Sequence, residues 1–294
     1  MTAPSNLRGI ACMVLAGGVF IGNDTCMKVV MEHAPPLQVL FMRGVAATLW
    51  CLPMVLVLGH GRQIPRIFNR WIMLRAAGEI FAVISFVLAL PHMALADITA
   101  IYQISPLILL AGTALIFGER VGVLRMALVG VAIVGALMVA QPGASAASIY
   151  AVLGFMTAIG GAVRDLVARK VPRDVPVLVV ALAMVLFVMV SAGIATSLFE
   201  TWVAPEPRHV LLMLGAGAFL ATGQFFIFLA FRYATAPTLA PFYYSFTVWA
   251  LLAGFAVFGN VPNALAIAGM AVVLASGLTV VVLDGRRHAH VISN

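Results

Sequence analysis

The chain has 294 residues, of which 63% are hydrophobic and only 9% charged, and its mean hydropathy is +1.11. So few charges cannot supply the polar coat of a water-soluble domain, which excludes an ordinary soluble enzyme. The net charge of +7 is scattered between apolar runs with no compact basic domain, so it reads as membrane topology, with no nucleic-acid partner.

A helix needs about 20 apolar residues to cross roughly 30 Å of hydrocarbon. Such runs are predicted at 8–31, 35–58, 71–92, 96–117, 121–141, 149–169, 175–199, 209–231, 234–258 and 262–284. The fold class expected is an all-α integral membrane protein with ten transmembrane helices. Only helices satisfy the backbone in such runs, because a barrel would show alternating strands of about ten residues. The N-terminus, MTAPSNLRGIA, has one Arg ahead of the first run and could pass for a signal peptide. The internal repeat described below requires this segment, so it is expected to stay as the first helix. Cys12, Cys26 and Cys51 are odd in number and form no CxxC pair, so neither a disulfide framework nor a metal site is expected.

Span one carries NDTCMK at residues 23–28. At about 1.5 Å per residue Asp24 lies roughly 24 Å above Arg8, and Lys28 is one turn further, within reach of the interface. Asp24 and Lys28 stand at i, i+4, acid first, the favourable order on a helix. Arg43, on span two, returns to about the depth of Asp24. These charges read either as pairs that fix depth and register or as groups on a solute path. In the second reading Asn23 and Asp24 bind solute, and Asp24 exchanges partners, carries a proton or attracts an ammonium. Glu79 lies about 12 Å inside span three, with Arg75 one turn below, and carries the same two readings.

Span four opens on Asp97, an acid at a helix start, and continues through Tyr102, Gln103, Ser105 and Pro106 to Glu119-Arg120 at the far interface. Span five is ALVGVAIVGALMVA and span ten ALAIAGMAVVLASG. Small residues allow close helix contact in lipid, so these two spans either seal each half or form a homodimer. Span six carries Asp165 and Arg169, again at i, i+4, and span eight places Gln224 beside Phe225 and Phe226. Span nine holds Pro237, Pro241, Phe242, Tyr243, Tyr244, Ser245 and Phe246. Proline frees a carbonyl one turn back, so spans four and nine are expected to kink or break where they line a wet cavity.

With the N-terminus inside, all basic residues except Lys28, Arg43 and Arg208 fall on inner segments. Both termini are therefore expected in the cytoplasm. A shift of 141 places Asp24 on Asp165, Pro35 on Pro176, Tyr102 on Tyr243, and Phe117-Gly118 on Phe258-Gly259. Spans one to five then correspond to six to ten. Five is odd, so the second copy enters from the opposite side, as in secondary transporters built from inverted repeats around a midplane site. The domains expected are 8–141 and 149–284, with a cytoplasmic tail at 285–294.

The segment ADITAIYQISPLILLAGTALIFGER, followed by a Gly/Ala-rich fifth helix, resembles the drug/metabolite transporter superfamily, and more narrowly its EamA-type bacterial exporters. The resemblance covers nearly the whole chain. It implies a central cavity lined by helices 1, 3, 4, 6, 8 and 9, and export of amino acids or related metabolites, aromatic ones in one branch.

No Walker, HExxH or GxSxG context is present. The six histidines sit at span ends or tails, so a lipid-modifying enzyme is a lesser alternative. A channel is disfavoured because inverted halves favour rocking. No catalytic residue, metal or cofactor is expected. Deep basic residues are few, which disfavours phosphorylated cargo. The expectation is a secondary transporter in the cell inner membrane that exports a small solute, most simply an amino acid. Exporting cationic or amphipathic drugs or other metabolites is the alternative. Asn23, Asp24, Glu79, Tyr102, Gln103, Gln224, Tyr243 and Tyr244 are the expected solute contacts. Asp24, Lys28, Arg43, Asp165 and Arg169 are the expected structural or gating charges.

Overall fold

The computed structural model describes residues 3–117, 123–140, 147–172, 174–234, 239 and 242–292. The helices are α1 (Ala3–Met31), α2 (Pro36–Val57), α3 (Arg70–Ala89), α4 (Leu95–Tyr102), α5 (Ser105–Phe117) and α6 (Val123–Ala140). They continue as α7 (Ala147–Ala168), α8 (Val177–Phe199), α9 (Pro207–Tyr233), α10 (Ser245–Phe258) and α11 (Ala264–Ile292), with a 3-10 helix at Gly61–Phe68. No strand occurs among the described residues. Among the described residues seven helical stretches are long and apolar enough to cross a membrane, one of them Leu95–Gly112, which runs from α4 into α5. Met126–Val139, Ser245–Phe258 and Ala264–Thr279 are shorter apolar helices.

The described helices follow the hydropathy, and span four breaks into two helices as Pro106 leads one to expect. Two bounds differ: α10, in span nine, begins at Ser245 rather than 234, and α11 runs to Ile292, past the expected end at 284. Pro237, Pro241 and Glu119-Arg120 lie outside the described residues.

The chain forms two compact units that do not coincide with the sequence halves. One comprises residues 1–21, 94–149 and 222–294; the other comprises 22–93 and 150–221. Each unit therefore draws helices from both halves of the sequence.

In the unit built on 22–93 and 150–221, α2 lies along α8 and α3 packs on α8. Gly44 makes the first contact close: a Cβ there would stand 2.7 Å from that of Met189. Thr48 Oγ1 approaches Met189 Sδ at 3.7 Å, so two positions 141 apart touch each other. At one end, Val55, Ile67, Ile72, Val179, Leu182 and Ala183 form a buried apolar cluster. At the other, Glu200 caps α2, its two carboxylate oxygens accepting from Leu37 N and Gln38 N at 2.9 Å each. Pro35 at the N-cap has no side-chain acceptor, so a residue from the end of α8 does that work. Gln38 is fully buried. Its amide donates to Val203 O at 2.6 Å and accepts from Val203 N at 2.9 Å. We expect Glu200→Ala to lower stability by about 1–2 kcal/mol, the size of a lost cap, read as a lower unfolding midpoint in detergent.

In the other unit, α6 lies along α11 and α4 packs on α10. Gly135 and Gly269 meet face to face: a Cβ on Gly269 would stand 2.5 Å from Gly135 O, and one on Gly135 2.9 Å from Gly269 O. Trp249 Nε1 donates to Val14 O at 2.9 Å, tying α10 to α1. Gly259 ends α10 in the left-handed region at φ 66°, where a side chain would be strained.

Candidate functional site

Two constellations, one in each unit, hold the residues of interest. The first is built on helix breaks. Pro106 has no N–H to give the carbonyl one turn back, and its ring crowds that turn. The helix therefore stops at Tyr102 and restarts at Ser105, with Ile104 N bonded to Ile101 O and Leu107 N to Ile104 O. In the second half of the sequence Tyr244 interrupts the helix, and Thr247 N bonds Tyr244 O at 3.2 Å. That shorter bond releases the Tyr243 carbonyl. Gln103 Nε2 donates to it at 3.1 Å, so one helix break ties directly to the other.

Around this tie lies an aromatic stack. The Tyr243 ring lies 4.8 Å from that of Phe246, which lies 5.9 Å from that of Phe20. Tyr102 is half-buried. Tyr244 is buried, its hydroxyl lying where a Cβ of Gly277 would be. Gln103 Oε1, Ser245 Oγ and Thr247 Oγ1 are buried without a hydrogen-bond partner. Gln224 stands apart on the exposed face of α9 beside Phe225.

The second constellation is a chain of alternating charges in the other unit. Arg164, on α7, pairs with Glu79 on α3 at 2.8 Å. It also forks onto its neighbour Asp165 through Nε at 2.8 Å and Nη2 at 3.0 Å. Close backbone approach makes this possible: a Cβ on Gly78 would stand 3.0 Å from Arg164 N, and one on Gly160 2.9 Å from Ala82 Cα. Arg75 and Arg43 also act on Glu79 electrostatically, and Asp24 acts on Arg43. Glu79 is thus bonded by Arg164 of α7 and acted on electrostatically by Arg75 of α3 and Arg43 of α2. Asp24 Oδ1 accepts from Asn23 Nδ2 at 2.8 Å. Lys28 donates to Met93 O.

Asp24 and Asp165, which a shift of 141 places on one another in the sequence, stand at the two ends of this charge chain. Sequence spacing finds both acids, Arg43 and Glu79. It misses Arg164 as the partner of Glu79, because 85 residues separate them. The signal available is the Arg-Asp pair at 164–165, whose acid lies 141 positions after Asp24. Arg169 is exposed in the turn just past the end of α7.

Among the described residues no group of three or more His, Cys, Asp or Glu could hold a metal ion. His33 and His209 rings lie 5.2 Å apart, and His92 stacks on Tyr150 at 3.9 Å. A surface depression of about 340 Å³ lined by Pro65, Arg66, Phe68 and Asp174 shares no residue with either constellation.

Residues 7–141 match the EamA-like transporter family. The chain is 27% identical to the pseudopaline exporter CntI of Pseudomonas aeruginosa, over 89% of this chain and 91% of that protein. It is 27% identical to a riboflavin transporter of Rhizobium johnstonii (95% and 92% covered) and 26% to one of Vibrio cholerae (92% and 91%). A protein of known crystal structure, 17% identical, superposes with a TM-score of 0.66 over 97% of this chain and all of that one, which shows a shared fold. The resemblance to EamA-type drug/metabolite transporters is borne out, and the relatives named are transporters.

Proposed function

We propose that this EamA-type, multi-pass membrane protein is a secondary transporter. It exports a small metabolite, an amino acid with an aromatic or other apolar side chain, across the cytoplasmic membrane by alternating access. The observation that carries the reading is the tie between two helix breaks, Gln103 Nε2 to Tyr243 O at 3.1 Å. Interrupted helices at membrane depth are tolerated where backbone lines a solute path. The near-equivalence of these positions under a shift of 141, and the contact of Thr48 with Met189, support ten crossings in two inverted repeats.

Asn23, Asp24, Glu79, Tyr102, Gln103, Tyr243 and Tyr244 are the solute contacts in this reading, with Gln224 exposed at the side. Asp24, Lys28, Arg43, Asp165 and Arg169 are the structural or gating charges. Both termini face the cytoplasm of the cell inner membrane, since the basic residues bias that way. The outer faces of α6 and α11, where Val134 and Ile267 are exposed, are where a homodimer would form.

A second reading is export of another amphipathic or cationic metabolite. The relatives support it, since they are a pseudopaline exporter and riboflavin transporters.

The test is uptake of labelled amino acids and other metabolites into liposomes holding the purified protein, with and without a pH gradient. At least one amino acid is expected to move down its gradient, and Asp24→Asn is expected to alter the rate or its pH response. Movement of other metabolites alone favours the second reading. No movement across the panel by a folded protein removes both. Wild-type behaviour of Asp24→Asn at every pH leaves that acid an anchoring role.

A further inference from the structure

We propose that Asn23, Asp24, Arg43 and Arg75 form a clamp for a zwitterionic head group, the arginines taking a carboxylate and the Asn23-Asp24 pair an ammonium. The proposal rests on the transporter reading and narrows its cargo to solutes carrying both charges.

A guanidinium is a flat fork of five donors that matches the two oxygens of a carboxylate. Arg164 has its fork filled, holding Asp165 through Nε and Nη2 and Glu79 through Nη1. Arg43 and Arg75 are different. Each acts on Glu79 from a distance, yet the Nε of each is buried without a hydrogen-bond partner. A buried donor left unsatisfied is destabilising, and a charged one more so. In a chain with only 9% charged residues, a mere structural tie for Glu79 would need one arginine. Two further arginines with idle donors call for an acceptor that is not part of this unit.

The opposite vacancy lies beside Arg43. Asn23 is 2% exposed, and its Oδ1 is buried without a hydrogen-bond partner. Its Nδ2 holds Asp24, and Asp24 in turn faces Arg43 electrostatically. So an idle acceptor next to a carboxylate neighbours the idle Nε of Arg43, which shares Glu79 with Arg75 as an electrostatic partner. An ammonium supplies the donors that Asn23 Oδ1 and Asp24 lack; a carboxylate supplies the acceptors that Arg43 and Arg75 lack. The carboxylates of Asp24, Glu79 and Asp165 balance the charges of Arg43, Arg75 and Arg164. A net-neutral zwitterion preserves that balance, whereas a lone anion or cation upsets it, at high cost inside a membrane.

The experiment is thermal unfolding of the full chain in nanodiscs with millimolar phenylalanine, leucine and methionine. Each is compared with its C-terminal amide and its N-acetyl derivative. At least one free amino acid is expected to raise the midpoint, with an apparent affinity tenfold or more above both derivatives. In Arg43→Gln the preference for acid over amide is expected to collapse to within about twofold. Arg43→Lys, which keeps the charge and loses the fork, should fall between. A purely structural arginine would lower the basal midpoint and leave the acid-to-amide ratio unchanged, which overturns the proposal. Equal shifts with amides, or no shift with any free amino acid, overturn it as well. A zwitterion that binds with this preference but does not move in liposomes leaves the clamp standing and removes the transport reading. Transport of a solute lacking either charge does the reverse.

Discussion

Replacing Arg164 by Leu is expected to abolish transport and lower stability by about 3 kcal/mol. Arg164 is bonded at once to Glu79 and Asp165, at 2.8 Å to each. Its side chain and that of Glu79 are only 18% and 20% exposed, so water does little to replace the pair. Removing one partner of such a pair leaves an uncompensated charge, typically at about 3–5 kcal/mol. The lower figure applies because Arg75 and Arg43 still act on Glu79. The double variant Glu79→Leu, Arg164→Leu removes both charges and should recover part of the lost stability. It should not recover transport if the charges serve the solute path. Unfolding midpoints with uptake in liposomes give both readings. A single variant that transports normally would show the α3–α7 pair to be dispensable.

Gly269→Leu should prevent the folded state from accumulating. A Cβ at this position would stand 2.5 Å from Gly135 O and 2.9 Å from Met138 Cβ. The first obstacle is backbone, so no rotamer change relieves it; α6 and α11 must separate. Overpacking a core costs about 1–3 kcal/mol when side chains can shift, and a collision with backbone costs more. Little hydrophobic drive holds helices together in lipid, so lost packing contact is not made up elsewhere. Gly130→Leu, also on α6, is the control, since nothing lies within 4 Å of its added Cβ. Size-exclusion profiles should show a monodisperse peak for Gly130→Leu and an aggregated one for Gly269→Leu. Similar profiles for the two would mean that the α6–α11 contact tolerates separation.

The two glycines differ in nothing that sequence can display. Both sit in ALVGVAIVGALMVA or its counterpart ALAIAGMAVVLASG, among small apolar neighbours. Composition says that close contact is possible there; only the packed helices say which glycine makes it. The same limit applies to Glu200 and Gln38, whose bonds join the start of α2 to the end of α8. Neither stood out in the sequence, since an acid and an amide near span ends read as interface residues.

By itself the sequence determined what hydrophobicity and local backbone chemistry control. It placed the apolar helices, because a helix buried in lipid must be apolar over its crossing length. It located the break in span four, because Pro106 cannot donate the next helical bond whatever surrounds it. It also singled out Asp24, Arg43 and Glu79, because a charge inside an apolar run is conspicuous wherever the chain goes. The tertiary structure alone decided the partners. It joined Gln103 to Tyr243, and Glu79 to an arginine 85 residues away, while leaving Arg43 and Arg75 with idle donors. It also drew each compact unit from both sequence halves. Hydropathy is a property of one segment, whereas a salt bridge or a glycine contact depends on the distance between two.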